Sequence, residues 1–310
     1  MKLSVIIPTL NAGKYLPDLL TKLFAQTIHD KEIIIIDSES DDRTIEIARS
    51  YNVRVQSVPR KEFNHGQTRN IAARDASGEF LVFLTQDALP VNNSLLENLM
   101  SPLEKDPEIA MSYGRQIAYD HSRTLEKFIR GFNYPDKSMT RGKKDIASLG
   151  VKTFFCSNAC ALYRKDIFWD LGGFRDDTIM NEDMDFVYRA VMSGYKAHYA
   201  ADAQVLHSHD YSLLEQFRRY VDIGVFFANN KNITSCSRNE SEGIRYILQA
   251  SRYLMKNKEL NELVYLFLDS FARFLGYRLG LHYRMFSPRT MCRISMNRNY
   301  WNVERAIIQR

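Results

Sequence analysis

Four short apolar runs, rich in β-branched residues and spaced by helical patterns, constrain this chain most. LSVIIP at 3–8, EIIIID at 32–37, VRVQSV at 53–58 and EFLVFL at 79–84 lack the apolar–polar alternation of a half-exposed strand. Continuous runs of this length read as strands buried on both faces of a parallel sheet. Helical stretches are expected between them at 13–25, after Asn11 as N-cap, at 41–50 and at 66–76, before the Ser77-Gly78 stop. Strand–helix repeats joined by short polar loops predict an open, doubly wound, mostly parallel α/β sheet. In such sheets ligands sit at the carboxyl ends of the strands. Attention therefore falls on Pro8–Asn11, Asp37–Asp41 and Thr85–Ala88.

The pattern changes near residue 210. From there it is helical, at 212–229, 241–256 and 259–281, with a basic tail. The polar, aperiodic stretch 134–150 is expected to be a mobile loop. We place the boundary between a catalytic region, 1–210, and a helical region, 211–310. The 310-residue chain has a net charge of +5, unevenly spread. Residues 211–310 hold 16 Lys and Arg against 8 Asp and Glu, a net of +8, and leave −3 for the rest. That asymmetry predicts an anionic partner for the second part. Nucleic acid is disfavoured, because no zinc finger or RNP-like aromatic motif is present. No run of about 20 apolar residues could span a membrane. The N-terminal apolar run is too short for a signal sequence, so the chain is expected to stay in the cytoplasm. Cys156, Cys160, Cys236 and Cys292 are too few and scattered for a disulfide framework and are read as reduced thiols.

Each strand end carries groups suited to chemistry. Thr9 and Asn11 lie where backbone N–H groups can meet a phosphate, although from this loop alone a plain helix cap explains them better. Asp37 ends a hydrophobic strand, where its carboxylate can accept a base N–H; Asp41 and Asp42 fit helix capping better. Asp87 follows FLVFL directly, at a place where a metal–diphosphate site needs a hard oxygen ligand. Glu182, Asp183 and Asp185 crowd the start of an amphipathic helix, more acid than capping needs, so one is a candidate base. His207 and His209 follow the strand-like AQVLH and point the same way if the strand continues.

Taken in order, VIIPTLN, IIIIDSESDDRT, TRNIAARDASGEFLVFL, the strand-end Asp and a Gly-Gly-Phe followed by Glu182-Asp183 resemble the family 2 inverting glycosyltransferases of the GT-A fold. FNHGQTRN at 63–70, TQDALP at 85–90, YGRQ at 113–116, FNYP at 132–135, HSHDYS at 207–212, RRYVDIGVFF and FLGYRLG are similar to bacterial rhamnosyltransferases that use dTDP-L-rhamnose. The resemblance implies that Asp183 is the catalytic base and that Thr9, Asn11, Asp37, Arg69, Gln86 and Glu182 bind the substrate. It implies a divalent cation, Mg²⁺ or Mn²⁺, on Asp87 and His207. The family's D-x-D becomes Thr85-Gln86-Asp87 here, so one strand-end carboxylate remains. Arg69 could instead form an ion pair with a nearby acid in the same loop. The implied acceptor is a lipid-linked saccharide in cell-surface polysaccharide synthesis, met at the inner face of the membrane. Arg273, Arg278, Arg284, Arg289, Arg293, Arg298 and Arg305, interleaved with apolar side chains, fit an anionic lipid surface or an oligomer contact. Alternatives are a UDP-hexose donor, or a non-catalytic nucleotide-sugar-binding scaffold, against which the intact Glu182-Asp183 pair argues.

Overall fold

The computed structural model describes residues 1–236 and 241–302. In chain order the elements are β1 (Leu3–Thr9), α1 (Leu16–Phe24), β2 (Lys31–Asp37), α2 (Thr44–Ser50), β3 (Arg54–Ser57), α3 (His65–Arg74), β4 (Phe80–Leu84), β5 (Leu89–Pro90), α4 (Leu95–Lys105), β6 (Ile109–Ile117), α5 (Thr124–Asn133), β7 (Met139–Arg141), α6 (Ile146–Leu149), β8 (Cys160–Arg164), α7 (Lys165–Asp170), α8 (Glu182–Met192) and β9 (Lys196–Leu206). Then follow α9 (Leu213–Asn229), α10 (Lys231–Thr234), α11 (Ser241–Lys256), α12 (Leu260–Leu281) and α13 (Pro288–Ile294). They form two compact units.

The first unit comprises 1–118, 134–176 and 182–207. Its sheet runs β3-β2-β1-β4-β8-β6-β9-β5, with β7 on β9. The four runs read from the sequence are β1 to β4, paired in parallel. Leu3, Val5, Ile6 and Ile7 of β1, like the whole of β4, have no solvent contact beyond a few per cent, which is why the apolar runs do not alternate. Strand β8 runs antiparallel between β4 and β6, and β6 pairs in parallel with β9. Helix α1 lays Leu16, Leu19, Leu20 and Leu23, spaced for one helical face, into this core. It begins at Leu16, so Asn11 is not its cap.

The stretch 134–150 is not a mobile loop. It holds β7, paired antiparallel with β9, and α6. The anchor is Arg141, 6% exposed, whose guanidinium donates to Phe155 O at 2.6 Å. A cation at the end of an aperiodic polar stretch gave no apolar signal, yet its buried hydrogen bonds hold the segment.

The second unit comprises 119–133, 177–181 and 208–302 of the described residues. It takes α5 from the region that the sequence boundary near 210 leaves in the first part. The reason is apolar: Leu125 is buried with Ala250, Leu254 and Leu266, and Phe128 and Ile129 pack against them. Helices α9 and α12 approach so closely that a Cβ on Gly280 would lie 2.1 Å from Val221 O, and one on Gly276 2.4 Å from Phe217 O. The FLGYRLG pattern is thus a backbone-to-backbone contact.

Candidate active site

All nine candidate residues lie in the first unit, and the strand ends are wired to one another. Thr9 Oγ1 donates to Asp37 Oδ1 at 2.8 Å, and both residues are 2% exposed. Asp37 also accepts from the Ser40 hydroxyl and, through Oδ2, from Ser40 N at 2.8 Å. Asn11 adopts φ 51°, a left-handed conformation that Asn tolerates. Its N–H donates to Ser40 Oγ and its Oδ1 accepts from Asp41 N, both at 2.8 Å. The β1 and β2 loops are therefore one hydrogen-bonded shelf. Gln86 extends it: its Oε1 accepts from Leu10 N at 2.9 Å and its Nε2 donates to Leu10 O at 3.2 Å.

A second cluster gathers at the start of α8. Rings of Phe83, Tyr163, Phe168, Phe174 and Phe186 pack with centroids 4.9 to 6.0 Å apart. This core braces α8 through Phe186. The Tyr163 hydroxyl donates to Asn158 Oδ1 at 2.7 Å. Asn158 in turn donates from Nδ2 to Glu182 Oε1 at 2.9 Å and from its backbone N to Asp183 Oδ2 at 3.0 Å. Arg69 Nη1 lies 3.3 Å from Glu182 Oε1, and both side chains are less than a tenth exposed. Arg69 comes from α3, whose Asn64 caps it by accepting from Gly66 N and Gln67 N. Asn70 on the same helix clasps the backbone of Phe174. The partner acid of Arg69 is thus Glu182 of α8, not an acid of its own loop.

The two neighbouring carboxyls are driven apart. Burial pushes Glu182 up, but the Arg69 guanidinium, His65 and the Asn158 amide outweigh it, and the net direction is down. Burial also pushes Asp183 up, and the charge on Glu182 pushes it further, to about 7. A carboxylate poised near neutral pH beside one held ionised is the arrangement that separates a base from its structural neighbour. Asp185 is occupied otherwise, 2.9 Å from Arg189 Nε one turn on.

Asp87 and His207 meet at the end of β4 and beyond β9. His207 Nε2 lies 3.4 Å from Asp87 Oδ1. His207 Nδ1 is 2.9 Å from Gln116 Oε1, and Gln116 Nε2 donates to Ser157 Oγ at 2.8 Å. With the amide oxygen so placed, Nδ1 donates to Gln116, and Nε2 is the ring nitrogen turned toward the carboxylate. An imidazole nitrogen and a carboxylate oxygen this close are two groups suited to a divalent cation, with Gln116 fixing the ring behind. The residues present fit such an ion.

Asn158, Tyr163 and Gln116 were not singled out from the sequence. Gln116 sat inside YGRQ, which carried the resemblance without a role. Asn158 lay between Cys156 and Cys160, where only the thiols drew attention; both thiols are free and buried, and burial pushes Cys160 up to about 12.

Residues 4–172 match the family described as Glycosyl transferase family 2. Among curated proteins, the chain is 40% identical over 306 residues to the O-antigen chain rhamnosyltransferase RfbN of Salmonella typhimurium, covering 97% of this chain and 96% of that protein. It is also 40% identical to the O-antigen chain rhamnosyltransferase WbaN of Salmonella anatum, over 96% and 95% of the two chains. Among solved structures, a mannosyltransferase from Pyrobaculum calidifontis in complex with GDP-Man and Mn²⁺ superposes with a TM-score of 0.57 at 18% identity, covering 98% of this chain and 86% of that one. Residues 1–349 of Staphylococcus aureus TarS superpose with a TM-score of 0.53 at 18% identity, over 92% of each chain. These last two likenesses concern the fold, which is that of the GT-A glycosyltransferases.

Proposed function

The chain belongs to glycosyl transferase family 2, and from that premise we propose that it transfers L-rhamnose from dTDP-L-rhamnose, with inversion, to a lipid-linked saccharide in cell-surface polysaccharide synthesis. The sugar rests on the full-length likeness to two O-antigen chain rhamnosyltransferases. The chemistry rests on one observation: Asp183, pushed up to about 7, adjoins a carboxyl that Arg69 holds ionised.

In this reading Asp183 takes the proton from the acceptor hydroxyl as that oxygen attacks the anomeric carbon, opposite the departing diphosphate. Glu182 stays charged and keeps the proton affinity of Asp183 high. Asn158 orients both, and Arg69 positions Glu182. Thr9, Asn11, Asp37 and Gln86 form the nucleotide shelf, with Asp37 offered to the thymine N3–H. Asp87 and His207 would hold a divalent cation, Mg²⁺ or Mn²⁺. That ion would supply positive charge to the leaving diphosphate.

We place the chain at the inner face of the membrane. Among the described residues no helix is long and apolar enough to cross one. The exposed positions of α12 are apolar from Leu260 to Leu275 except Asn261: Val264, Phe267, Leu268, Phe271 and Phe274 are each at least half exposed. Between residues 243 and 278 the exposed charged side chains are Arg245, Arg252, Lys256, Lys258 and Arg278, all basic. An apolar stripe beside cations suits an anionic bilayer surface. The tail contributes less than its composition promised. Arg273 is paired with Asp269 at 2.7 Å, Tyr283, Met291 and Trp301 are buried, and Arg305 lies outside the described residues. Arg278, Arg284, Arg289, Arg293 and Arg298 are exposed.

The test is incubation of the protein and Mn²⁺ or Mg²⁺ with dTDP-rhamnose and lipid-linked saccharide acceptors, read by product mass. A gain of one deoxyhexose supports the proposal. Equal turnover of a UDP-hexose would overturn the donor assignment.

A further inference from the structure

Asp87 and His207 on one side, and Glu182 and Asp183 on the other, come from segments far apart in the chain, yet one tight turn touches both groups. It is the turn Ser157–Cys160 before β8, closed by Cys160 N donating to Ser157 O at 3.2 Å. On the cation side, Ala159 O accepts from Thr85 N at 3.2 Å. Thr85 O accepts in turn from Ala88 N at 3.1 Å, so the residues flanking Gln86 and Asp87 are tied down. Ser157 Oγ accepts from Gln116 Nε2 at 2.8 Å, and the oxygen of that amide lies 2.9 Å from His207 Nδ1. His207 N also donates to Ile117 O at 2.9 Å, so β6 holds this residue by its backbone as well.

On the base side, Asn158, the next residue of the turn, donates to both Glu182 and Asp183. Upstream, Arg141 donates to Phe155 O at 2.6 Å and steadies the approach to the turn. The spacing between the cation pair and the base is therefore carried by a few residues. That spacing matters, because displacement with inversion needs the attacking hydroxyl and the departing diphosphate on opposite faces of one carbon. A misplacement of 1 Å can cost about 10²-fold in rate.

The backbone bonds of the turn would persist with any side chain at 157, so the hydroxyl is the part that carries a separate role. Ser157 is half-buried, and its Oγ accepts from Gln116 Nε2 and, at 3.3 Å, from Ala159 N. A glutamine amide gripped at one end can swing about its side-chain torsions. Gripped at both ends, it holds the imidazole ring in one orientation, as outer partners of ligand histidines do. We propose that Ser157 is a positioning residue, whose hydroxyl anchors the Gln116 amide behind His207 and so joins the cation pair to the turn that holds the base. Its bearing on transfer rests on the glycosyltransferase reading; its hold on the cation pair does not.

Mn²⁺ is titrated into the full-length protein and read by electron paramagnetic resonance. Ser157→Ala should weaken Mn²⁺ binding about fivefold, the net worth of one neutral hydrogen bond. Ser157→Thr, which keeps the hydroxyl, should restore it. In a Gln116→Leu background Ser157→Ala should cost nothing further, because the group that it anchors is gone. Ser112→Ala is the structural control: Ser112 lies on the same strand as Gln116, is fully buried and donates to Leu99 O at 2.5 Å. That variant should lower the melting point and leave Mn²⁺ affinity alone. In turnover at saturating Mn²⁺, Ser157→Ala should lower kcat about tenfold and leave the KM for dTDP-rhamnose unchanged. Equal Mn²⁺ affinity in wild type and Ser157→Ala, or additive losses in the double variant, overturns the proposal even if rhamnosyl transfer proceeds. A wild type that binds no Mn²⁺ removes the cation pair and the proposal with it. The expected Mn²⁺ pattern in a protein that never turns over dTDP-rhamnose supports the role of Ser157 and overturns the enzymatic reading instead.

Discussion

Arg69 holds Glu182 across 3.3 Å of buried space, and Asp183, the next residue, is pushed up to about 7 as a result of burial and of that held charge. A base with this proton affinity is loaded below neutral pH and empty above it. Transfer should therefore rise through an apparent pKa near 7 that belongs to the Glu182–Asp183 pair. A profile of kcat/KM from pH 5 to 9 checks this; a flat profile would remove Asp183 as base. Asp183→Asn should lower the rate by about 10²–10⁴ with dTDP affinity retained.

The same residue makes a stability prediction with a definite sign. The folded pKa lies above the ordinary value of 3.8, so the fold binds this proton more tightly than the unfolded chain does. Wild-type stability is unaffected below about pH 4, is lost progressively as pH rises toward 7, and stays lost above it. Asp183→Asn has no such proton to lose. It should therefore melt higher than wild type at pH 8, by on the order of a few kcal/mol at most, and the gap should close on acidification to pH 4. Thermal melts at both pH values measure it. A variant that melts lower than wild type at pH 8 contradicts the assignment.

The divalent-cation assignment has a readout apart from turnover. Mn²⁺ titrated into the protein should give a bound signal by electron paramagnetic resonance that Asp87→Ala and His207→Ala both abolish. Gln116→Leu keeps both donors but removes the acceptor that fixes the His207 ring, and outer partners of this kind are worth about 10- to 100-fold in affinity. Equal Mn²⁺ binding in wild type and Asp87→Ala would sink the assignment.

How much of this was legible beforehand follows from which forces leave marks in a sequence. Burial on both faces leaves runs such as LSVIIP and FLVFL, and helical amphipathicity leaves periods, so β1, β4, α9, α11 and α12 could be read almost to the residue. Asp37 and Asp87 stand out because a carboxylate follows an apolar run, and Asp183 because three acids crowd the start of one helix. Pairing direction leaves no such mark: nothing in CALYR tells that β8 inserts antiparallel between β4 and β6. Nor do single long-range hydrogen bonds, which is why Asn158, Gln116 and the anchoring role of Arg141 were invisible. Arg69 illustrates the middle case. Its residue type allowed either a nucleotide contact or an ion pair, and only folding brings Glu182, 113 positions away in the numbering, to within 3.3 Å.

The glycine contact between α9 and α12 sets a limit on substitution. A methyl group on Gly280 would meet the Val221 carbonyl at 2.1 Å, backbone against backbone, with no side chain to rotate away. Overpacking typically costs about 1–3 kcal/mol, and a rigid obstacle belongs at the upper end. Gly280→Ala should lower the melting point clearly, whereas Gly243→Ala, with open space around it, should not. Melting points of the two variants side by side decide the matter.

The last prediction concerns the stripe on α12. Leu260, Val264, Phe267, Phe271 and Phe274 are 56–67% exposed and fall at spacings of four and three along one face. Contiguous exposed apolar surface of this kind marks an interaction site on a protein. A spacing of four and three is also that of a helix seam, so a second copy of the chain is the competing occupant. Charge separates the two. Two copies of α11 and α12 brought together would juxtapose Arg252, Lys256 and Lys258 with their like, with no exposed acid between residues 243 and 278 to offset them. An anionic bilayer instead attracts each such cation by about 1 kcal/mol near its surface. Sedimentation with vesicles of phosphatidylglycerol and phosphatidylethanolamine should therefore carry the protein down at low salt. Phe267→Ser combined with Phe271→Ser should release it, and Arg252→Glu with Lys256→Glu should release it more readily as salt rises. Both pairs are exposed, so folding should be kept, as a melt confirms. If wild type stays in the supernatant with every vesicle and elutes as a dimer that Phe267→Ser and Phe271→Ser split, the stripe is a contact between copies, and the membrane placement falls.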